Sequence, residues 1–439
     1  MYRTIINQLV SWKDSPTRKP LILTGVRQCG KTFVLQEFGK CYFEQVAYFN
    51  FEQSQALSSI FDFDYNVQRI LMELCAAAGL KNIISGTTLV IFDEIQACPK
   101  AITSLKYFCE DMPDLHLVCA GSLLGVAINH ANISFPVGKV ERMNMYPMSF
   151  KEFIIANGLE NIVKVVENFE LSREIPEIYS VPLTKALKNY FIVGGMPEAV
   201  KQWVNTHSYD EVEKIQDNIL ADYSSDFAKY APTSDIPKLG WIWDSVPQQL
   251  AKENNKFVFS HVRKGKRSAE LEDALKWLEN AGLIYRLELV ENAEMPLSFY
   301  ANATHFKVYM CDVGLLRRKS GVSAKTILEE NDLFTSFKGA FTENYVMMEL
   351  NQLAFKSFFW RSGNKAELDF LIEYNDAIIP IEAKAELNTK AKSYKLFCKR
   401  YNSKMGFKFS MKNIGDNIVE QAKTYSLPLY IIWKLKKYL

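Results

Sequence analysis

The stretch LILTGVRQCGKTFVL, residues 21–35, constrains the fold of this chain most strongly. An apolar run leads into Gly25, and after four further positions come Gly30, Lys31 and Thr32. This spacing is typical of a phosphate-binding loop, in which glycines let backbone N–H groups wrap the phosphates and the lysine reaches the β and γ oxygens. The threonine hydroxyl binds Mg²⁺, and the helix that follows directs its positive end at the phosphates. We therefore predict a strand, a loop and a helix that bind ATP and Mg²⁺.

Two acidic residues end a second apolar run. The run is TTLVIFDEIQ, residues 87–96, and it leads to Asp93 and Glu94. At the carboxyl end of a strand beside the loop, we expect Asp93 to lie next to Mg²⁺ and Glu94 to polarise the attacking water. A buried strand that ends in solvated acids has the same letters, but the loop upstream favours the catalytic interpretation. A third run, LHLVCAGS, leads to Ser122, which either senses the γ-phosphate or simply ends a strand.

Composition limits the classes of protein that the chain can belong to. Its 439 residues suggest about two to four domains. With 52 basic and 50 acidic residues, the net charge of +2 neither favours nor excludes nucleic-acid binding. No signal-peptide core or membrane-spanning run is visible, and the eight cysteines contain no C-x-x-C pair. We expect a soluble, cytoplasmic chain without membrane contact, a zinc ribbon or a disulfide framework.

Hydrophobic patterning divides the chain into four segments. Residues 1–155 alternate short apolar runs with helical stretches, which predicts an α/β core with a parallel sheet. Residues 156–235 are mostly helical in pattern and suggest a lid subdomain. Residues 236–325 contain a helix, a turn and a strand in the order of a winged-helix module. Residues 326–439 combine a helix with further strand patterns.

Several segments resemble those of a bacterial and archaeal group of AAA-like P-loop ATPases. They are GVRQCGKT, YFNFE, LVIFDEIQ, CAGSLLG, GKVERMNMYPMSFKEF and VGGMPEAV. The likeness continues through KVYMCDVGLL, GAFTENYVMMEL and AELDFLIEYNDAIIPIEAK, which resemble that group's C-terminal domain of unknown function. The resemblance implies a P-loop NTPase sheet at the N-terminus and an α/β, restriction-endonuclease-like core at the C-terminus.

The resemblance also assigns roles to individual residues. Metal and water roles fall on Asp93 and Glu94, and Thr32 shares the metal. Where members of the group often have Gly-Arg, this chain has Lys139, which lacks the planar fork of an arginine finger, so Arg142 is the second candidate for action on a neighbouring copy in a homo-oligomer. The predicted nucleotide contacts are Gly25, Arg27, Gly30, Lys31, Thr32, Phe33 and Ser122.

A carboxylate and lysine pattern stands near the C-terminus. If ELDFLIEY and AIIPIEAK are adjacent strands, a period of two places Glu367 with Asp369 and Glu382 with Lys384 on shared faces. This resembles the PD-(D/E)XK nuclease constellation, in which Asp369 and Glu382 would hold a divalent metal and Lys384 would orient a water. Glu343 fits the additional helix acid of some such nucleases. This pattern of residues is common by chance. A degenerate nuclease fold that binds without cutting is therefore the alternative.

Two basic segments of the sequence fit either nucleic-acid contact or a solvated surface. Lys264, Lys266 and Arg267 precede the second helix of the winged-helix candidate, where they would meet phosphates or form a solvated loop. The basic stretch KAKSYKLFCKRYNSK allows the same two interpretations. The predicted function is an ATPase coupled to a nuclease-like domain that acts on nucleic acid. The alternative is a nucleotide-dependent switch whose C-terminal domain binds a protein or nucleic-acid partner without cleaving it.

Overall fold

The structure is a computed structural model. It describes residues 1–122, 134–171, 173–252, 256–329, 332–363, 366–384 and 392–439. The chain forms two compact units. The first comprises residues 1–146 with 280–282, and the second comprises residues 147–279 with 283–439.

The first unit is built on a five-stranded parallel sheet. Its strand order is β2-β3-β4-β1-β5, so β1, the strand before the glycine loop, lies between β4 and the edge strand β5. The strands are β1 (Leu21–Thr24), β2 (Gln45–Asn50), β3 (Thr88–Asp93), β4 (His116–Ala120) and β5 (Glu141–Asn144). The helices are α1 (Ile5–Lys13), α2 (Lys31–Tyr42), α3 (Val67–Ala78) and α4 (Pro99–Asp111), with 3-10 turns at Gln55–Phe61 and Ile95–Ala97.

The central strands are apolar because helices cover the sheet. Every residue of β3 and β4 is buried, as expected for a parallel sheet with both faces packed. Phe92 of β3 contacts Phe51, Phe61 and Phe108 edge to face. The three apolar runs singled out in the sequence form β1, β3 and β4, and the segment YFNFE begins within β2. Strand β5, whose ERMN sequence is half exposed and polar, carries too little apolar pattern to be predicted.

The second unit begins with helices and continues into a mixed sheet. Its helices before the sheet are α5 (Phe150–Ala156), α6 (Glu160–Glu167), α7 (Glu177–Val193), α8 (Pro197–Thr206), α9 (Tyr209–Tyr230), α10 (Ile236–Leu250), α11 (Phe259–Val262) and α12 (Ser268–Asn280). The later helices are α13 (Val313–Lys319), α14 (Ala324–Glu329), α15 (Asp332–Gln352), α16 (Lys392–Tyr401) and α17 (Leu435–Tyr438), with 3-10 turns at Leu297–Phe299 and Leu429–Lys434. The helical pattern of residues 156–235 therefore forms helices.

Eight strands make up the sheet of the second unit. The order is β12-β13-β11-β10-β9-β8-β6-β7. The strands are β6 (Ile284–Val290), β7 (Ala301–Met310), β8 (Ser357–Ser362), β9 (Ala366–Tyr374), β10 (Ala377–Ala383), β11 (Met405–Ser410), β12 (Gly415–Val419) and β13 (Ala422–Pro428). Strand β9 pairs antiparallel with β8 and β10, whereas β10 pairs parallel with β11.

The winged-helix candidate contributes its strands to this larger sheet. Helix α12 is followed by the antiparallel pair β6 and β7, as the sequence order suggests. Strand β6 also pairs in parallel with β8, with Glu288 opposite Phe358. The buried residues Leu287, Leu289 and Val290 explain this, because an apolar strand is stabilised by a partner on both edges. A winged-helix module and the four-segment division stay predictions. Among the described residues, no helix has both the length and the apolar character needed to cross a bilayer.

Candidate functional site

The loop between β1 and α2 has a backbone that requires glycine. Gly25 has φ +147° and Gly30 has φ +93°, both in the region that side chains disfavour. A Cβ at Gly25 would lie 2.1 Å from the carbonyl oxygen of Met145. Gly30 precedes the first residue of α2, so the helix N-terminus opens onto the loop. The local chain thus has the turn and the helix dipole that phosphate binding uses.

Lys31 and Thr32 begin the helix and point to different groups. Lys31 is buried, and its Nζ donates to the carbonyl oxygens of Gly25 at 2.8 Å and Val26 at 2.9 Å. Thr32 Oγ1 donates to Asp93 Oδ2 at 2.8 Å. The structure therefore brings together the loop hydroxyl and the strand-end carboxylate that the sequence placed beside one metal ion. Hydroxyl and carboxylate oxygens are ligands that Mg²⁺ prefers, so this pair fits the ion.

A tyrosine that sequence reasoning missed also contacts Asp93. Tyr48 OH donates to Asp93 Oδ2 at 2.7 Å and accepts from Asn50 Nδ2 at 3.2 Å. Burial raises the pKa of Tyr48, the bond from Asn50 opposes this, and the carboxylate of Asp93 adds to it, which gives a pKa of about 12. The sequence contained an indication of this contact. Tyr48 belongs to the segment YFNFE at the end of β2, and the carboxyl end of β2 lies beside that of β3 in the parallel sheet.

Glu94 has an unusual backbone position directly after β3. Its φ is +49°, and its backbone N–H donates to Asp93 Oδ1 at 3.0 Å. The Glu94 carboxylate accepts a hydrogen bond from the side chain of Gln96. Left-handed non-glycine residues are uncommon and concentrate at functional sites. Glu94 therefore has this uncommon backbone conformation directly after the carboxylate that ends β3.

The remaining predicted nucleotide contacts differ in exposure. Phe33, in the first turn of α2, is 51% exposed. Arg27 and Ser122 are half-buried, the first in the loop and the second two residues beyond β4. All three lie within the described residues, on elements adjoining the loop or the strand ends.

The two candidate arginine-finger positions have partners within the first unit. Lys139 Nζ lies 2.8 Å from Glu110 Oε1. The Arg142 guanidinium lies over the ring of Phe135, 4.4 Å from its centroid.

Sequence reasoning missed another basic residue at the loop. Arg3 is buried and donates to the carbonyl oxygens of Cys29 at 2.8 Å and Tyr146 at 2.6 Å. These two hydrogen bonds connect the loop to the segment that follows β5.

A second cluster lies in the eight-stranded sheet of the other unit. Strands β9 and β10 are adjacent, and the pairing of Phe370 with Ile381 sets the next residues, Asp369 and Glu382, opposite each other. Both are at least nine-tenths buried. Asp369 Oδ2 accepts from the backbone of Ala383 at 2.8 Å, and Lys384 Nζ lies 2.6 Å from Glu382 Oε1. The structure therefore brings the predicted carboxylates and lysine together.

Burial and mutual repulsion shape the protonation of these groups. Burial raises the pKa of Asp369, and the carboxylates of Glu382 and Glu343 raise it further. Burial also raises the pKa of Glu382, although Lys384 opposes the effect. Burial lowers the pKa of Lys384, but Asp369 and Glu382 outweigh it and raise that pKa above its usual value. These carboxylates would ionise most readily with a further cation beside them.

Asp369 and Glu382 are the carboxylates of this cluster that would hold a metal ion. Glu382 Oε2 is buried and has no hydrogen-bond partner in the structure, so an acceptor is available. Within the described part of the chain, no three histidine, cysteine, aspartate or glutamate side chains are arranged to hold a metal ion. A pair of carboxylates suits a hydrated Mg²⁺, which takes one or two from a protein. Asp369 and Glu382 therefore fit the ion that the sequence predicted.

Two further residues join the cluster from strand β7. Lys307 Nζ lies 2.7 Å from Glu367 Oε1 and 3.2 Å from Glu343 Oε2. Tyr309 OH donates to Glu343 Oε2 at 2.7 Å. Sequence reasoning missed both residues, because nothing local indicates that β7 faces helix α15.

The basic residues considered for nucleic-acid contact are partly engaged within the chain. Lys266 Nζ lies 2.6 Å from Glu270 Oε1, and the backbone of Arg267 donates to Glu270 Oε2 at 3.0 Å. Lys264 and the side chain of Arg267 are exposed. Of the basic stretch KAKSYKLFCKRYNSK, residues 390 and 391 lie outside the described residues, and α16 buries Tyr394 and Phe397 on one face.

Comparison with known families divides the chain into three matched parts. Residues 17–154 match a family described as an AAA domain. Residues 184–326 and 338–431 match two domains of unknown function, DUF8612 and DUF4143. No curated protein matches the chain.

Similar solved structures include proteins from two archaea and a bacterium. The Walker-type ATPase PABY2304 of Pyrococcus abyssi is 14% identical, over 72% of this chain and 95% of its own, with a TM-score of 0.44. The ORC1 protein of Aeropyrum pernix in complex with DNA is 14% identical, over 74% and 92%, with a TM-score of 0.28. AMPPCP-bound DnaA from Aquifex aeolicus is 12% identical, over 63% and 86%, with a TM-score of 0.29.

The AAA match and the parallel sheet agree on the N-terminal part. The matched range contains the loop, Asp93, Glu94 and all five strands of the first sheet. The predicted α/β fold with a P-loop sheet is confirmed, and a mixed sheet is present toward the C-terminus. Residues 17–154 therefore match an AAA domain and contain the parallel sheet and the glycine loop expected of a P-loop fold.

Proposed function

We propose that this chain is a cytoplasmic, Mg²⁺-dependent ATPase that couples hydrolysis to a nuclease-like C-terminal domain acting on nucleic acid. The observation that carries the ATPase proposal is the 2.8 Å hydrogen bond from Thr32 Oγ1 to Asp93 Oδ2. It joins the loop helix to the end of β3, two elements that the chain separates by many residues. The match of this region to an AAA domain supports the same function.

The nucleotide would be held by the loop and its helix. Gly25 and Gly30 supply the turns that expose backbone N–H groups, and Lys31 supplies a positive charge toward the β and γ oxygens. Arg27, in the loop, and Phe33, in the first turn of α2, would contact the nucleotide, and Ser122 would sense the γ-phosphate. Thr32 and Asp93 would hold Mg²⁺, which neutralises charge on the phosphates when bound.

Glu94 is the proposed general base. It follows Asp93 directly, and its backbone lies in the left-handed region, with φ +49°. A carboxylate there can accept a proton from a water that attacks the γ-phosphorus. Lys139 or Arg142 of a neighbouring copy would add positive charge to the same phosphate if the chain forms a homo-oligomer. Arg142 is the better match, because its guanidinium is a planar fork that can bind two phosphate oxygens.

The C-terminal cluster would act on a phosphodiester. Asp369 and Glu382 would hold one divalent cation, and such a cation polarises a phosphoryl oxygen and lowers the pKa of a bound water. Lys384, whose Nζ lies 2.6 Å from Glu382 Oε1, would orient a water near that pair. Glu343 lies in the same cluster through its contact with Lys307.

The coupling is tested by ATP hydrolysis with and without nucleic acid. We expect single-stranded, duplex or branched nucleic acid to raise the rate of phosphate release, because a coupled domain passes substrate binding to the ATP site. The same assay is repeated with Asp369→Ala. Stimulation of phosphate release that persists in this variant comes from nucleic-acid binding and not from cleavage. A rate unchanged by all three nucleic acids would contradict the coupling.

A second function is favoured by the internal pairing of the cluster. Lys307 and Lys384 already pair with three of its carboxylates, as they would in a fold kept for binding alone. The chain would then be a nucleotide-dependent switch that binds a partner without cleaving it. Nicking of plasmid or branched DNA with Mg²⁺ or Mn²⁺, lost in Asp369→Ala and Lys384→Ala, identifies the nuclease. No nicking under any of these conditions identifies the switch.

A further inference from the structure

Lys307 is a buried cation placed between two carboxylates. Its side chain is fully buried on β7, with Nζ 2.7 Å from Glu367 Oε1 and 3.2 Å from Glu343 Oε2. Tyr309, two residues along the same strand, donates to the same oxygen of Glu343 at 2.7 Å. The position of the Glu343 carboxylate is therefore fixed by two side chains of one strand.

The ammonium of Lys307 stays charged in this setting. Burial lowers the pKa of Lys307, but the carboxylates of Glu343, Glu367 and Asp369 outweigh this and raise it above its usual value. A buried charge is tolerated only when it is paired and hydrogen-bonded, and both conditions are met here. Lys307 thus neutralises negative charge in the cluster as a bound cation would.

Glu367 faces cations of the chain itself. Besides Lys307, the Nε of Arg361 lies 4.0 Å from its second oxygen. On the other side of the cluster, Glu382 Oε2 is buried and unpartnered, although its other oxygen contacts Lys384. Lys408 lies opposite Glu382 on the neighbouring strand β11. The available acceptor is therefore on the Asp369 and Glu382 side.

Metal-dependent phosphoryl transfer often uses two cations that share a set of carboxylates. We propose that Lys307 replaces one of these two cations, so that the cluster binds a single divalent ion through Asp369 and Glu382. This inference rests on the proposed metal-dependent function of the C-terminal domain. It assigns Glu367 to the lysine and Asp369 to the metal, although these two carboxylates are only two residues apart on β9.

Counting bound Mn²⁺ by electron paramagnetic resonance tests the inference. The full chain is titrated without nucleotide, and ions that disappear in Asp369→Asn are assigned to the cluster. We expect one such ion in the parent chain. Glu367→Gln should keep that ion with its affinity changed by no more than about twofold, because Lys307 keeps its contact with Glu343. Lys307→Met should bind a second Mn²⁺ ion in the cluster, because Glu343 and Glu367 lose the lysine that neutralises them.

The other outcomes separate the inference from the proposed function. Two cluster ions in the parent chain would overturn the inference and leave a metal-dependent domain in place. Loss of the ion in Glu367→Gln would likewise overturn it. No cluster ion in the parent chain would overturn the metal-dependent function and, with it, the inference. If Lys307→Met does not fold, the parent and Glu367→Gln counts decide the question by themselves.

Discussion

At the scale of single residues, Asp93 connects the parts of the ATP site. Its two oxygens accept from Thr32 Oγ1, Tyr48 OH and the backbone of Glu94, at 2.8, 2.7 and 3.0 Å. Hydrogen bonds to a charged acceptor are each worth roughly 1.5–3 kcal/mol. The three bonds therefore fix the carboxylate that would face Mg²⁺, and each partner can be removed separately.

Tyr48→Phe should weaken the Mg²⁺ dependence of ATP hydrolysis without unfolding the chain. The change removes the hydroxyl from Asp93 Oδ2, and a loss of roughly 1.5 kcal/mol corresponds to an about tenfold higher Mg²⁺ requirement. The rate of phosphate release is measured over a series of Mg²⁺ concentrations. Tyr42→Phe is the matched control, because Tyr42 lies at the exposed end of α2. Equal Mg²⁺ requirements in the two variants would show that Tyr48 does not position Asp93.

The site residues that the sequence predicts differ physically from those that it misses. Lys31, Thr32 and Asp93 follow from local spacing, because loop, helix start and strand end are set by neighbouring residues. Tyr48 and Lys307 act through contacts between strands or helices distant in sequence. Those contacts depend on sheet order and register, which one sequence specifies only weakly.

At the scale of elements, the junction after α7 shows how closely packed backbone segments require glycine. Gly194 has φ +75°, and a Cβ on Gly195 would lie 2.1 Å from the carbonyl oxygen of Met148. The backbone of Gly195 donates to Asp312 Oδ2 at 2.6 Å, and Asp312 Oδ1 accepts from Leu315 at the start of α13. One buried carboxylate thus caps α13 and binds the turn after α7.

Gly195→Ala should destabilise the chain, whereas Gly240→Ala should not. The added methyl at Gly195 meets backbone atoms that cannot move freely, and overpacking of this kind costs about 1–3 kcal/mol. Gly240 lies inside α10 with open space around its Cβ position, where alanine is favoured by up to about 1 kcal/mol. Urea unfolding followed by circular dichroism compares the midpoints. A midpoint for Gly195→Ala at or above that of the parent chain would contradict the packing described.

Glu349 should make stability depend on pH. It is buried on α15 and accepts from the backbone of Phe150, the first residue of α5, at 2.8 Å. Burial raises its pKa to about 7, so between its ordinary value and pH 7 the folded chain holds a proton that the unfolded chain releases. Its contribution to stability is therefore complete at acidic pH and is lost as the pH rises through about 7.

Glu349→Gln removes this titration. The free energy of unfolding of Glu349→Gln relative to the parent chain should increase by up to about 3 kcal/mol between pH 4.5 and pH 8. Urea unfolding at several pH values measures it. The exposed Glu177→Gln serves as the control and should follow the parent chain at every pH. A constant difference between Glu349→Gln and the parent would show that Glu349 ionises normally in the folded state.

At the scale of the whole molecule, the sequence predicted the first sheet better than the second. Alternation of apolar runs and helices predicted a parallel sheet, since parallel strands are joined by crossover helices. In the second unit, β6 pairs with β8 although some 70 residues separate them along the chain, a distance at which local pattern gives no register. The proposed ATP site lies in the first unit and the carboxylate cluster in the second.

The proposed function depends first on hydrolysis at the loop, and Glu94→Gln tests it most directly. Phosphate release at steady state is measured with Mg²⁺ and ATP, and nucleotide affinity is measured beside it with a fluorescent ATP analogue. We predict that Glu94→Gln lowers the rate at least about 100-fold, because general-base catalysis contributes that much or more, while nucleotide affinity stays within about threefold of the parent chain. An equal rate of phosphate release in Glu94→Gln and the parent chain would contradict the assignment of Glu94 and of a hydrolytic site.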